Sequence, residues 1–268
     1  MPYRHTTYAG LTTTKRPETD PKTPAFVFLH GLTFDSRMWE PILGELPAAH
    51  RAIALDLPGH GGSPSFAARG LAAVADAVHA AVEAAAVDAP IVVGHSIGGP
   101  VASIYGSVHP SAGVVSIEAP IRLEPFAALL RTVAPQLGGP GFAEFWSQID
   151  ASLRVDLVPA PYRALLREDA GPVQDLFLRY QADLLERPLE EVLRWRDEGM
   201  AAVAASGMPY LSLLASEPEP ADVDWLEELV PQAEVVVWPV GHHFPHLARP
   251  ALFASLLGEL VRRAAVAG

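Results

Sequence analysis

The feature that most constrains the fold is residues 91–99, where an apolar run ends in a glycine-rich corner. Residues 91–93 are β-branched and predict a short buried strand, and residues 97 to about 108 have the spacing of a helix. The pattern Gly94-x-Ser96-x-Gly98 lies between them. A serine on such a corner is strained and exposes its hydroxyl, and the glycines leave room for neighbouring chains. The pattern predicts that Ser96 is a nucleophile; a turn in which serine caps a helix is the structural alternative.

The same corner predicts a site for negative charge beside the serine. The backbone N–H of Ile97 opens the following helix, and the positive end of the helix dipole lies there. If Ser96 attacks a carbonyl carbon, an oxyanion forms, and this N–H can donate a hydrogen bond to it.

Composition excludes several other classes of function. The chain has 268 residues, of which 50% are hydrophobic, enough for one large α/β domain with an inserted segment. Its formal net charge of -12 argues against nucleic acid or an anionic membrane as a partner. The absence of cysteine excludes disulfides, thiolate metal sites and a cysteine nucleophile. Residues 1–24 have no apolar core, which predicts no signal peptide, no membrane span and a cytoplasmic location.

Strand and helix patterns alternate on both sides of a central helical segment. From 121 to 206 the chain changes to amphipathic helical stretches, broken by proline and glycine, Gly171 among them, and rich in aromatic residues. Residues 17–24 predict a loop, and Ser36 is the predicted N-cap of the first helix. Predicted strands are 25–29, 51–55, 91–93, 113–117, 209–214 and 234–238, with one or two edge strands in 4–16; predicted helices are 36–46, 70–86, 97–108, 222–230 and one from 250.

This alternation predicts an α/β fold with a mostly parallel sheet covered by helices on both faces. Ligands of such sheets bind beyond the carboxyl ends of the strands. The polar and glycine-rich features of the chain follow predicted strands and therefore belong at that edge: they are His30-Gly31, Asp56, Ser96, Glu118 and His242.

Four motifs follow predicted strands along the chain: His30-Gly31, Asp56-Leu57-Pro58-Gly59-His60-Gly61, Gly94-His95-Ser96-Ile97-Gly98-Gly99 and Gly241-His242. In their sequence and order they resemble the motifs of the α/β-hydrolase family, of the compact kind that carries a cap. The resemblance covers essentially the whole chain, and it implies a serine–acid–histidine triad and a helical cap over the pocket. Residues 121–206 fit that cap, which leaves 1–120 and 207–268 as the core.

The resemblance also implies roles for individual residues. A serine hydroxyl needs a base to accept its proton, and the family places its histidine after the last strand, which here is His242. His243 and His246 are close competitors by position. The second oxyanion donor, beside the N–H of Ile97, would be the N–H of Leu32, which follows the His-Gly pair.

The acid of the triad has two candidates. Most relatives carry an aspartate after the strand that corresponds to 209–214, but residues 215–222 offer only Glu217 in that place. Haloalkane dehalogenases and some lactonases of the family place the acid after the strand that follows the elbow helix, where this chain has Glu118. A glutamate at the end of a buried strand needs a partner, so Glu118 is favoured. Its alternative role is pairing with Arg122 to anchor the cap, and Asp56 is expected to be structural.

The site and the resemblance predict a serine hydrolase that cleaves a small or medium, apolar carboxylic ester or lactone. Alternatives are a C–C bond hydrolase or perhydrolase on the same scaffold, or a non-catalytic ligand-binding protein. A dehalogenase is disfavoured because it needs a carboxylate where Ser96 stands. The chain has no HExxH motif, glycine-rich phosphate loop or acidic metal cluster, so no cofactor or metal is implied. The expected partner is the small-molecule substrate, with the protein a monomer or homodimer.

Overall fold

The structure is a computed structural model that describes residues 4–15, 25–65, 67, 69–166 and 173–267. The predicted loop 17–24 and the predicted helix break at Gly171 lie outside the described residues.

The described strands form one eight-stranded sheet with the order β1-β2-β4-β3-β5-β6-β7-β8. β1 and β2 form an antiparallel hairpin, β2 pairs antiparallel with β4, and all other neighbouring strands are parallel. The mostly parallel sheet predicted from the sequence is therefore confirmed. The strands are β1 Arg4–Tyr8, β2 Leu11–Lys15, β3 Phe26–Leu29, β4 Ala52–Leu55, β5 Ile91–His95, β6 Gly113–Ile117, β7 Tyr210–Leu214 and β8 Ala233–Val237.

Helices connect the parallel strands, because two parallel neighbours can be joined only by a crossover. The predicted first helix begins differently from the expectation. Asp35, and not Ser36, caps it by accepting a hydrogen bond from the N–H of Arg37, and its first turn, Ser36–Trp39, is a 3-10 helix. The α-helices are α1 Glu40–Glu45, α2 Leu71–Ala84, α3 Gly98–Val108, α4 Glu124–Leu137, α5 Phe142–Leu153, α6 Ala160–Arg163, α7 Val173–Tyr180, α8 Ala182–Glu186, α9 Leu189–Ser206, α10 Pro220–Leu229, α11 Pro245–Ala248 and α12 Pro250–Ala267.

The core has two parts, one on each face of the sheet. β3 shows why, since successive strand side chains point to opposite faces. Phe26 and Phe28 belong to the cluster that contains Trp39 and the buried face of α12. Val27 and Leu29 belong to the other cluster, with α2, α3 and the helices of the inserted segment. Because the central strands are buried on both faces, their sequences are continuous runs of apolar residues, many of them β-branched or aromatic and fully buried.

The described parts of the segment 121–206 are mostly helical, as the sequence predicts. α4 contacts α5 and α8, and buried side chains of these three helices belong to the same apolar cluster as those of α2 and α3. α9 instead packs along the core helix α3, and Gly199 allows the approach, since a Cβ there would lie 3.2 Å from the Ser107 hydroxyl. The division of the chain into core and cap at 206 stays a prediction.

None of the helices in the described ranges combines the length and the apolar character that a membrane crossing requires.

Candidate active site

Ser96 occupies the corner between β5 and α3 in a backbone conformation that side chains rarely adopt. Its φ angle is +52°, in the left-handed region. The corner is tight: a Cβ at Gly94 would lie 1.9 Å from the carbonyl oxygen of Gly98, and one at Gly98 would lie 2.6 Å from that of Leu29. The glycines of the motif are therefore required by space, as expected from the sequence. A serine strained in this way at a strand-to-helix corner is the geometry that a nucleophile elbow requires, and the role of Ser96 as nucleophile stays a prediction.

The turn after β3 packs directly against this corner. A Cβ at Gly31 would lie 2.9 Å from Nδ1 of His95 and 3.2 Å from the Cβ of Ser96, so a larger residue would have to displace these neighbours. The ring of His30 holds the turn from inside the core: Nδ1–H donates to the Gly31 carbonyl at 2.7 Å, and Nε2 accepts from the N–H of Leu57 at 2.9 Å. Burial lowers the pKa of His30 to about 4, so the ring is neutral and can play both roles.

The two candidate oxyanion donors belong to the two segments that meet at this corner. Leu32 follows Gly31 in the turn, and Ile97 follows Ser96 at the start of α3. Within the described part of the chain, neither N–H donates a hydrogen bond to another protein group. Both amides are thus available to a ligand, and their assignment to the oxyanion hole stays a prediction.

Glu118 lies directly after β6, where the sequence places the favoured acid. Its φ angle is +51°, and its N–H donates to the carbonyl of Leu213 at 2.9 Å. The side chain is only 16% exposed. Oε1 accepts a hydrogen bond from the N–H of Ala215, and Oε2 lies 3.1 Å from Nδ1 of His243. The loop after β7, which holds the acid in most relatives, here supplies a backbone donor to an acid on the neighbouring strand.

The histidine that Glu118 contacts is His243, one residue later than the prediction from the sequence. A carboxylate only accepts, so Nδ1 of His243 carries the proton and Nε2 is free to act as a base. His242 is turned into the protein: it is 6% exposed, and its Nδ1 accepts from the N–H of Phe244 at 3.1 Å. The geometry therefore favours His243, and not His242, as the base of the candidate triad, a role that stays a prediction.

The surroundings of His242 oppose its protonation. Burial lowers its pKa, an effect that the charge of Glu118 opposes and the neighbouring His243 reinforces. His246, the third histidine of this stretch, is fully buried beside Trp39, with a distance of 4.8 Å between the ring centroids. Burial lowers its pKa to about 3. Neither ring contacts the acid.

The main chain of His243 is held from two sides. Its N–H donates to the carbonyl of Leu153, the last residue of α5, at 3.0 Å. Its carbonyl accepts a hydrogen bond from Nε2 of His95 at 2.7 Å. Neither contact was predicted from the sequence, because both join residues that are distant along the chain.

The alternatives for the acid are placed elsewhere. Glu217 is exposed. Arg122 donates to Glu124 at 3.0 Å, so it is Glu124, and not Glu118, that forms the ion pair at the start of α4. Glu124 also accepts from Arg196 of α9 at 2.9 Å, and these two cations outweigh partial burial and lower its pKa to about 2.

Asp56 has the structural surroundings expected for it. It is 5% exposed; Oδ1 accepts from the N–H of Ser36 at 2.8 Å and Oδ2 from that of Gly62 at 2.9 Å. A Cβ at Gly61 would lie 2.4 Å from Oδ2, so the loop of residues 56–64 is wrapped around the carboxylate. In the described residues, no three or more His, Asp or Glu side chains are grouped so that they could hold a metal ion.

Comparisons with known proteins agree with this architecture. A model of the alpha/beta hydrolase family matches residues 26–256. A 2-succinyl-6-hydroxy-2,4-cyclohexadiene-1-carboxylate synthase from Enterobacter sp. (strain 638) is 35% identical over 97 residues, which are 36% of this chain and 37% of that protein. The chain thus matches little more than a third of that relative's length.

Two solved structures superpose on nearly all of the chain. One describes recognition and ring cleavage of the Pseudomonas quinolone signal by AqdC, with a TM-score of 0.76, 20% identity and coverage of 97% of this chain and 99% of that one. The other is a thermophilic esterase from Thermogutta terrifontis, with a TM-score of 0.72, 19% identity and coverage of 98% and 99%. At these identities the superpositions show the fold alone. Together with the family match over most of the chain, they establish that this protein belongs to the α/β-hydrolase family.

Proposed function

We propose that the protein is a serine hydrolase that cleaves a small or medium, apolar carboxylic ester or lactone through Ser96, His243 and Glu118. The observation that carries the proposal is the contact of 3.1 Å between Glu118 Oε2 and His243 Nδ1. It joins the loop after β6 to the loop after β8 at the strand edge where Ser96 stands. An acid that fixes the tautomer of a histidine, at the sheet edge that also carries a strained serine, is the arrangement expected to activate a serine hydroxyl.

The proposed reaction has two halves. Nε2 of His243 accepts the Ser96 hydroxyl proton as Oγ attacks the ester carbonyl, and the N–H groups of Leu32 and Ile97 bind the oxyanion. Glu118 stabilises the imidazolium, which returns the proton to the leaving alcohol as the C–O bond breaks. Water then attacks the acyl-serine, giving its proton to His243, and the carboxylic acid leaves as Ser96 recovers its proton.

The preference for an apolar substrate is supported by the surroundings of the oxyanion donors. The side chains of Leu32 and Ile97 belong to the same apolar cluster as aromatic residues of the inserted helices. Those rings contact one another at centroid distances of 5.4 to 6.2 Å. They are Phe142, Phe145, Trp146 and Phe177. Neighbouring structures include a protein described as an esterase, which agrees with this substrate class.

The test combines a substrate panel with a covalent probe. The panel holds p-nitrophenyl esters from acetate to octanoate and a set of γ- and δ-lactones, and the probe is a fluorophosphonate that labels activated serines. We expect turnover of at least one ester or lactone, and stoichiometric labelling that maps to Ser96. Ser96→Ala should abolish both while its melting temperature stays near that of the wild type.

Two results would overturn the proposal. If the wild type is not labelled and cleaves nothing, Ser96 is not an activated nucleophile, and a ligand-binding role replaces the hydrolase. If Ser96 is labelled but neither esters nor lactones turn over, the nucleophile stands and the substrate class is wrong. Diketone substrates of C–C bond hydrolysis are then the next panel, a choice to which the ring-cleaving structural neighbour also points.

A further inference from the structure

His95 is a fully buried titratable residue to which the mechanism above gives no role. It is the last residue of β5 and immediately precedes Ser96. Its ring lies 4.9 Å from that of His243 and 5.0 Å from those of Phe244 and His246, measured between centroids. A buried imidazole in such surroundings loses the hydration that it has in the unfolded chain. Its hydrogen bonds to the protein therefore determine its tautomer and its role.

The hydrogen bonding of His95 fixes its tautomer. Nε2 lies 2.7 Å from the carbonyl oxygen of His243, and a carbonyl only accepts, so Nε2 carries a proton. Burial lowers the pKa of His95 well below its ordinary value, so the ring is neutral and Nδ1 is unprotonated. Nδ1 has no hydrogen-bond partner among the described residues. Among the described residues, the His95 ring therefore makes its hydrogen bond to the carbonyl oxygen of His243.

Three parts of the candidate site meet at this ring. The backbone of His95 continues directly into Ser96, and its Nε2 holds the main chain of His243. A Cβ at Gly31, in the turn that leads to Leu32, would lie 2.9 Å from Nδ1, so the turn rests on the other side of the imidazole. The rigid ring of His95 lies between these three parts. It therefore fixes how far Ser96, His243 and the turn before Leu32 lie from one another.

We propose that His95 is a positioning residue that sets the distance between Ser96 and His243 by donating its Nε2–H to the His243 carbonyl. This rests on the proposed function and adds a residue to it. Glu118 orients the imidazole ring of His243, whereas His95 places the backbone from which that ring extends. A misplacement of reacting groups by about 1 Å can cost about 100-fold in rate, so one bond at this place can matter for turnover.

The test uses three substitutions of the same residue. Glutamine carries an N–H donor at about the reach of Nε2, asparagine carries the same amide but is too short, and leucine keeps the bulk without a donor. We expect His95→Asn and His95→Leu to lower kcat on the best ester by about 10- to 100-fold with little change of KM. His95→Gln should recover most of that loss.

A matched control separates this role from the general effect of removing a buried imidazole. His246 is equally buried and touches His95, but both of its nitrogens are without a hydrogen-bond partner among the described residues. His246→Leu should change kcat by less than about threefold. Thermal melting of every variant identifies any that fail to fold.

A spectroscopic measurement tests the placement without any substrate. The proton on His243 Nδ1, bonded to Glu118, should give a downfield ¹H resonance that is lost in Glu118→Gln. We expect this resonance to be broadened or lost in His95→Asn and His95→Leu and to remain in His95→Gln. If the wild type turns over no ester and no lactone, the proposed function fails, and this resonance still decides the placement. Folded Asn and Leu variants with the resonance of the wild type, or a Gln variant as impaired as Leu, would overturn the proposal.

Discussion

At the scale of single residues, the first question is whether His242 or His243, in the loop after β8, is the base of the candidate triad. We expect His243→Asn to lower kcat by about 10³-fold or more, because asparagine can still donate to Glu118 but has no nitrogen at the position of the base. His242→Asn keeps an acceptor for the N–H of Phe244 and should lower kcat by less than about tenfold. Both variants are compared with the wild type on the same ester, after a check of their melting temperatures. A large loss in His242→Asn alone would return the base to His242.

The acid of the triad gives a second prediction at this scale. Glu118→Gln keeps the shape of the side chain but turns an acceptor of the His243 Nδ1–H into a group that can also donate, so the histidine can adopt the wrong tautomer. We expect kcat to fall by about 10²- to 10⁴-fold. Glu217→Gln, at an exposed carboxylate, is the matched control and should leave kcat unchanged. If Glu217→Gln is the variant that collapses turnover, the acid lies after β7 and Glu118 is structural.

These residues also show how far the sequence could lead. The strained corner at Ser96 was predictable because its glycines, the strand before it and the helix after it are all local. Glu118 was predictable as a charged residue at the end of a buried strand. The choice between His242 and His243 was not, because they lie in an irregular loop where no periodicity says which side chain points inward. The choice depends on Phe244, Leu153 and His95, contacts that only the folded chain brings together.

At the scale of elements, the loop of residues 56–64 depends on one buried carboxylate. Asp56→Ala removes the acceptor of two backbone N–H groups, those of Ser36 and Gly62, and leaves that of Ser36 buried without a partner. We expect the free energy of unfolding to fall by about 3 kcal/mol. Asp56→Asn, which keeps one acceptor oxygen, should lose less. Urea unfolding measures both, with the exposed Asp88→Ala as the control.

Loss of Asp56 should affect stability far more than turnover. Because Asp56 does not contact the candidate triad, kcat per folded molecule should stay within about tenfold of the wild type in Asp56→Asn. A variant that is fully folded but inactive would contradict the structural role of this loop.

The fold was predictable at this scale wherever an element is buried on a regular pattern. The central strands lie within two residues of their predicted bounds, since their apolar runs are continuous and end in turn residues. The packing of the inserted helices was not predictable, because amphipathic periodicity shows that a helix has an apolar face but not what covers it. That α9 packs on α3 while the end of α5 bonds to His243 follows from the three-dimensional arrangement alone.

At the scale of the whole molecule, buried neutral histidines couple stability to pH. Burial lowers the pKa of His30 to about 4, and that of His60 and His246 to about 3; that of His95 lies well below its ordinary value of 6.5. Below pH 6.5 the unfolded chain therefore binds protons that the folded chain does not, so stability must fall as pH drops. Each such group removes about 1 kcal/mol at pH 5.5, so the four together remove about 4 kcal/mol, close to the lower end of the stability of a typical domain.

His246→Leu isolates one of these contributions. At pH 8 the substitution removes an imidazole without hydrogen bonds from an apolar site, so the free energy of unfolding should stay the same or rise. Between pH 8 and 5.5 the variant should lose about 1 kcal/mol less than the wild type, since leucine binds no proton in either state. Urea unfolding at a series of pH values measures both slopes, with the exposed His5→Gln as the control. Equal slopes for His246→Leu and the wild type would mean that the folded protein takes up a proton at His246, and that the acid sensitivity arises from other groups.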